Sequence, residues 1–100
     1  MTQKSILKIL KPLVASGIYK DEKVALKDII AGHIEGKIEA YVSVLKQMEG
    51  KYGMDLAGAS KERAGKATVE FENDWMEWKA AVVMKEAWQK ALRDLLRNAA

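Results

Sequence analysis

The sequence predicts an all-α fold, and three observations carry the prediction. Apolar residues recur at three- and four-residue steps along most of the 100 positions. Acidic or small polar residues stand where these runs begin, and glycines stand where several of them end. A single proline and no serine-rich or glycine-rich tract leave no composition for a long linker. Hydrophobic residues make up 49% and charged residues 31%, the balance of a globular chain. The length suits one helical domain over residues 1–100.

The first run is Ile6, Ile9, Leu10, Leu13 and Val14, a helix beginning near Lys4. Pro12 either kinks it or opens its second half, and Gly17 ends it. Asp21 caps the next helix, with Glu22 in its first turn. Leu26, Ile30, Ile34, Ile38, Tyr41, Leu45 and Met48 then line one stripe to about Glu49, a helix of roughly 42 Å. Gly50, Gly53 and Gly58 mark a break, within which Met54 to Ala64 reads as a short helix capped by Asp55 and stopped by Gly65. Lys66 to Asn73 reads as a connector with Val69 and Phe71 alternating against Glu70 and Glu72. Asp74, with Glu77 three residues on, then caps a last helix from Trp75 to about Arg97.

These helices carry more apolar surface than a lone antiparallel pair covers. Val83, Met84 and Ala87 lie off the Trp78–Val82–Leu92 line, and such excess is most often resolved by a two-fold dimer. Residues 1–49 are the expected dimerising part, through Leu26, Ile30, Gly32, Ile34, Gly36 and Ile38. Gly32 and Gly36 form a G-x-x-x-G pair, which lets helix backbones approach closely; a plain surface pair is the alternative. Residues 66–100 are the expected partner-facing part.

The inventory for catalysis is thin. Zero cysteines exclude a disulfide, a thiolate metal site and a cysteine nucleophile. His33 is the one histidine and reads as a helix-surface residue without a role. No phosphate loop, nucleophile elbow or zinc spacing occurs. The expectation is a chain that is not an enzyme, with no catalytic residue, no metal and no cofactor. Glu70, Glu72, Asp74 and Glu77 form the densest acidic cluster, which suits a helix start and alternatively a basic partner. Metal-assisted hydrolysis there would need carboxylates converging across a dimer. Core packing is the first reading of Trp75, Trp78 and Trp88 together, and the alternative for Trp75, beside Met76 at a helix start, is an exposed anchor for a protein partner. Formal net charge is +3, but Lys4, Lys8, Lys11 and Lys20 occupy a beginning with no acid, a candidate phosphate-contacting face. The longest apolar run, Ala80 to Met84, is far short of a membrane span, and no leader pattern is visible, so a cytoplasmic protein is expected.

Two stretches carry a resemblance. PLVASGIYKDEKVALKDII, from Pro12 to Ile30, resembles the helix-turn-helix part of ribbon-helix-helix antitoxins through Ser16, Gly17 and Tyr19, then Asp21 and Glu22, then Ala25, Leu26, Ile29 and Ile30. KYGM at Lys51 to Met54, with KATVEFENDWMEWKAA at Lys66 to Ala81, is similar to small archaeal and cyanobacterial proteins, some of them antitoxin-like and encoded beside a toxin nuclease. Together the stretches cover about two-fifths of the chain. Ribbon-helix-helix proteins read the major groove with a β-ribbon before the first helix. This chain has no room for one, since its helical run begins near Lys4. The resemblance therefore implies a dimerising helical unit that occludes a toxin: Glu70, Glu72, Asp74 and Glu77 would mask a basic surface while Trp75 and Trp78 anchor it. The alternative is a nucleic-acid-binding regulator using the four N-terminal lysines.

Overall fold

The computed structural model describes residues 3–98, and these form four helices: α1 (Gln3–Ala15), α2 (Glu22–Tyr52), α3 (Leu56–Glu62) and α4 (Val69–Asn98). No strand occurs among the described residues. At 1.5 Å per residue, the 31 residues of α2 span about 46 Å. They lie antiparallel to α4, because Tyr52 meets Trp78 while His33 meets Trp88. The shape follows from that hairpin. Its extents are 60 × 22 × 22 Å and its radius of gyration is 19.5 Å, against about 13 Å for a compact domain of this length.

Local chemistry explains most of the boundaries. α1 runs through Pro12, whose missing N–H leaves the Lys8 carbonyl without its usual helical donor. It stops in a Schellman turn. Gly17 adopts φ +80°, its N–H reaches the Val14 carbonyl at 3.0 Å, and Ile18 N–H reaches Leu13 at 3.2 Å. Asp21 caps α2 by accepting from Val24 N–H at 2.9 Å, and Gly53 ends that helix at φ +70°. Asp55 caps α3 by accepting from Gly58 N–H at 2.8 Å.

Three boundaries correct the sequence expectation, the smallest being α3, which is confined to Leu56–Glu62 rather than Met54 to Ala64. α2 continues through Lys51 to Tyr52 rather than ending near Glu49. More consequentially, Lys66 to Asn73 is not an extended connector, and Asp74 is not the cap of the last helix. Thr68 takes that place: its Oγ1 accepts from Phe71 N–H at 3.1 Å, and its carbonyl accepts from Glu72 N–H at 3.0 Å. Asp74 therefore sits inside α4, in its second turn. The cause is packing. Phe71, Asp74 and Trp78 fall at three- and four-residue steps, so a helix that starts before Phe71 turns all three toward α2 together.

The core is divided between the two ends. At one end Met48, Ala59, Phe71 and Trp78 form a buried cluster flanked by Leu45, Tyr52, Leu56 and Val82. At the other, α1 packs on α2, with Leu10 and Ala25 buried. Ala25 and Ile34 are both buried, yet nine positions place them about half a turn out of phase. α2 thus uses opposite sides for its two neighbours, α1 and α4.

Candidate functional site

The densest chemistry lies where α3 and the start of α4 meet the end of α2. Tyr52 stacks on Trp78 with ring centroids 5.7 Å apart and meets the edge of Phe71 at 5.4 Å. Its hydroxyl donates to Asp74 Oδ2 at 2.5 Å. Lys51 Nζ donates to the same oxygen and to Glu70 Oε1, each at 2.7 Å. The Arg63 guanidinium lies 5.2 Å from the Tyr52 ring centre and 5.4 Å from that of Phe71, within cation–π range of both. Three segments, the end of α2, the end of α3 and the start of α4, meet here around one tyrosine and one aspartate.

Hydrogen bonds from Lys51 and Tyr52 hold the Asp74 carboxyl below its ordinary range. The same bonds raise Lys51, chiefly through Asp74, and raise the Tyr52 hydroxyl. A depressed carboxyl contributes stability above its unfolded value of 3.8, and that contribution is lost as pH falls through the folded value. Raised Tyr52 and Lys51 contribute below their unfolded values of 10.0 and 10.5, and that contribution is lost as pH rises through the folded ones. The melting temperature should accordingly be flat across neutral pH and fall at both extremes. Asp74→Asn should melt lower than wild type at pH 7, and the gap should close below about pH 4. Circular-dichroism melts across the range test this; a gap of constant size would refute the assignment.

Beside this lock an open groove of about 510 Å³ runs along the start of α4. Phe71, Trp75 and Met76 line one wall, and Ser60, Arg63 and Ala64 line the other. Trp75 is fixed within it, since its Nε1–H donates to Ser60 Oγ at 2.8 Å and Ser60 in turn donates to the Leu56 carbonyl at 2.7 Å. Trp75 remains 37% exposed and Met76 65% exposed. Glu72 and Arg63 put one charge of each sign on the lining.

The predicted site residues are dispersed by this arrangement. Trp78 is 1% exposed, so its place is the core rather than a contact surface. Glu70 and Asp74 belong to the Lys51 lock. Glu72, two positions from Glu70 and about 200° around the helix, lines the groove, and Glu77 is exposed. The four acids therefore do not form one surface. Lys8, Lys11 and Lys20 are exposed, while the side chain of Lys4 falls outside the described residues. The α2 set also splits. Ile34 is buried and Leu26 and Ile38 are half-buried, whereas Gly32 and Gly36 are exposed with nothing within 4 Å of an added Cβ. Gly32 lies two residues before Ile34, so the two point to opposite sides, and Ile30 stays 37% exposed. His33 is exposed and meets the Trp88 ring edge-on at 5.9 Å. Arg63 and Ser60 were not singled out by sequence reasoning; their role depends on a fold-back that no local pattern encodes.

Among the described residues, no group of three or more His, Asp or Glu is placed to hold a metal ion. No helix there is long and apolar enough to cross a membrane. No family model, curated protein or solved structure matches the chain.

Proposed function

We propose that this chain is a non-enzymatic protein-interaction module that acts, in the manner of an antitoxin, by occluding a partner protein. The observation that carries this reading is the groove at the α3–α4 corner. It is apolar and open, and it holds a tryptophan in a fixed orientation by a hydrogen bond. Tryptophan is enriched at the energetic centre of protein interfaces, and methionine is enriched in interface composition. Glu72, the one predicted acid that lines the groove, offers a carboxylate to a basic group of the partner.

Co-expression with the product of the adjacent reading frame tests the reading. A stable complex is expected, and Trp75→Ala should weaken it by about 2 kcal/mol, about 30-fold in Kd, while far-ultraviolet circular dichroism stays that of wild type. Failure of the two chains to co-purify, or a Trp75→Ala variant that binds as tightly as wild type, would remove the groove from this role.

A further inference from the structure

The side of α4 turned away from α2 carries an apolar stripe that nothing among the described residues covers. Val69, Met76 and Val83 recur at seven-residue steps, with Ala80 between the last two and Met84 and Ala87 just beyond them. All six are exposed, Val83 to 50%. Met76, Ala80 and Val83 each lie two positions from buried Trp78 or Ala81, about 200° around the helix, which puts them on the outer side.

Along one edge of this stripe runs a row of charges with the same period: Glu72, Lys79, Glu86 and Arg93. All four are exposed, and none joins an ion pair among the described residues. Their signs alternate, and alternation at a fixed period has a geometric consequence. Two copies of a helix packed antiparallel about a perpendicular two-fold axis bring the same edge of each against the other. With Lys79 of one copy opposite Glu86 of the second, the same register places Glu72 opposite Arg93, so every pair in the row is of opposite sign. Sliding by one heptad places Lys79 opposite Lys79, or Glu86 opposite Glu86. The favoured register is thus set by charge, and its centre falls between Val82 and Val83, inside the apolar stripe. The alanines at 80 and 87, also seven apart, let the two axes approach closely.

We propose that a second copy of this chain packs antiparallel on the outer face of α4 in this register. The stripe offers on the order of 400 Å² of apolar surface per copy, a size at which a patch on a monomer is usually functional. With the charged row included, the pair buries on the order of 1,000 Å², the low end for a specific interface, so association in the micromolar range is expected. This pairing does not rest on the groove reading: Trp75 belongs to the groove, and Glu72 and Met76 form the edge between the two surfaces.

Sedimentation equilibrium of the full chain from about 5 to 500 μM tests the proposal. Wild type should pass from monomer to dimer. Val83→Glu should remain monomeric with unchanged circular dichroism, because the side chain is not part of the core. Lys79→Glu and Glu86→Lys should each weaken the dimer about tenfold, since two-fold symmetry repeats every like-charge contact. The double variant should recover the wild-type constant, and the two single variants mixed should form a heterodimer. A wild type that stays monomeric throughout would overturn the proposal. So would a dimer indifferent to Val83→Glu and to the charge exchanges, which would place the contact elsewhere, for example on the open Gly32–Gly36 side of α2.

Discussion

Replacing Trp78 by alanine should cost about 3–5 kcal/mol, the largest loss expected from any single truncation in this chain. The side chain is 1% exposed and belongs to a cluster contributed by α2, α3 and α4. Removing the indole takes away the surface on which Tyr52 stacks and opens a void that Met48, Ala59 and Phe71 line. The void cannot close easily, because Tyr52 is also held through its hydroxyl by Asp74. Domains of this size have stabilities of roughly 5–15 kcal/mol, so the substitution removes a large share of what holds the fold. Urea denaturation monitored by circular dichroism measures it directly. Trp75→Ala supplies the comparison, since Trp75 is 37% exposed and loses less burial. A Trp78→Ala midpoint no lower than that of Trp75→Ala would mean that the core is not organised around Trp78.

How far this arrangement was readable beforehand depends on whether the decisive signal was local. The stripe from Leu26 to Met48 was readable in part because its members repeat at helical steps: Ile34 and Met48 are buried, but Ile30 is exposed and the buried Ala25 lies off the stripe. The caps at Asp21 and Asp55 and the left-handed glycine at 17 were readable because each satisfies backbone groups within a few residues. The start of α4 was not. Thr68 and Asp74 are both good capping types, and the alternation of Val69 and Phe71 with Glu70 and Glu72 resembles a strand. What decides between them is the pairing of Asp74 with Lys51 and Tyr52 on another helix, for which sequence spacing holds no signal. A different lesson comes from Gly32 and Ile34. Their opposite orientations follow from helical periodicity alone, and it was the G-x-x-x-G pattern that joined them into one interface. The acidic cluster has another cause: in an extended connector Glu70 and Glu72 would share one side, and only the earlier start of α4 separates them.

Leu10→Ala, at the far end of the hairpin, should produce a loss of a different kind. Truncating a buried leucine costs about 2–5 kcal/mol where the whole fold depends on it. Leu10 is 5% exposed, but it anchors α1, which packs on α2 at the end opposite the aromatic cluster. Once α1 lifts away, the rest of the chain no longer senses the substitution, so the loss is bounded by the free energy of docking this one helix. A detached helix of 13 residues is marginal in water, and its amides should exchange freely with solvent. The Schellman turn at Gly17 and the hydrogen bond from the Tyr19 hydroxyl to Asp28 hold the connection to α2 but do not replace the buried contact. Hydrogen exchange should then show protection lost across α1 while amides of α2 and α4 around Tyr52 and Trp78 keep wild-type protection, with the urea midpoint little changed. Exposed Lys8 and Lys11 would move with the released helix, leaving the groove around Trp75 intact. If protection instead falls together at both ends, the two clusters form one cooperative unit, and the long α2–α4 hairpin transmits the loss of Leu10 along its full length.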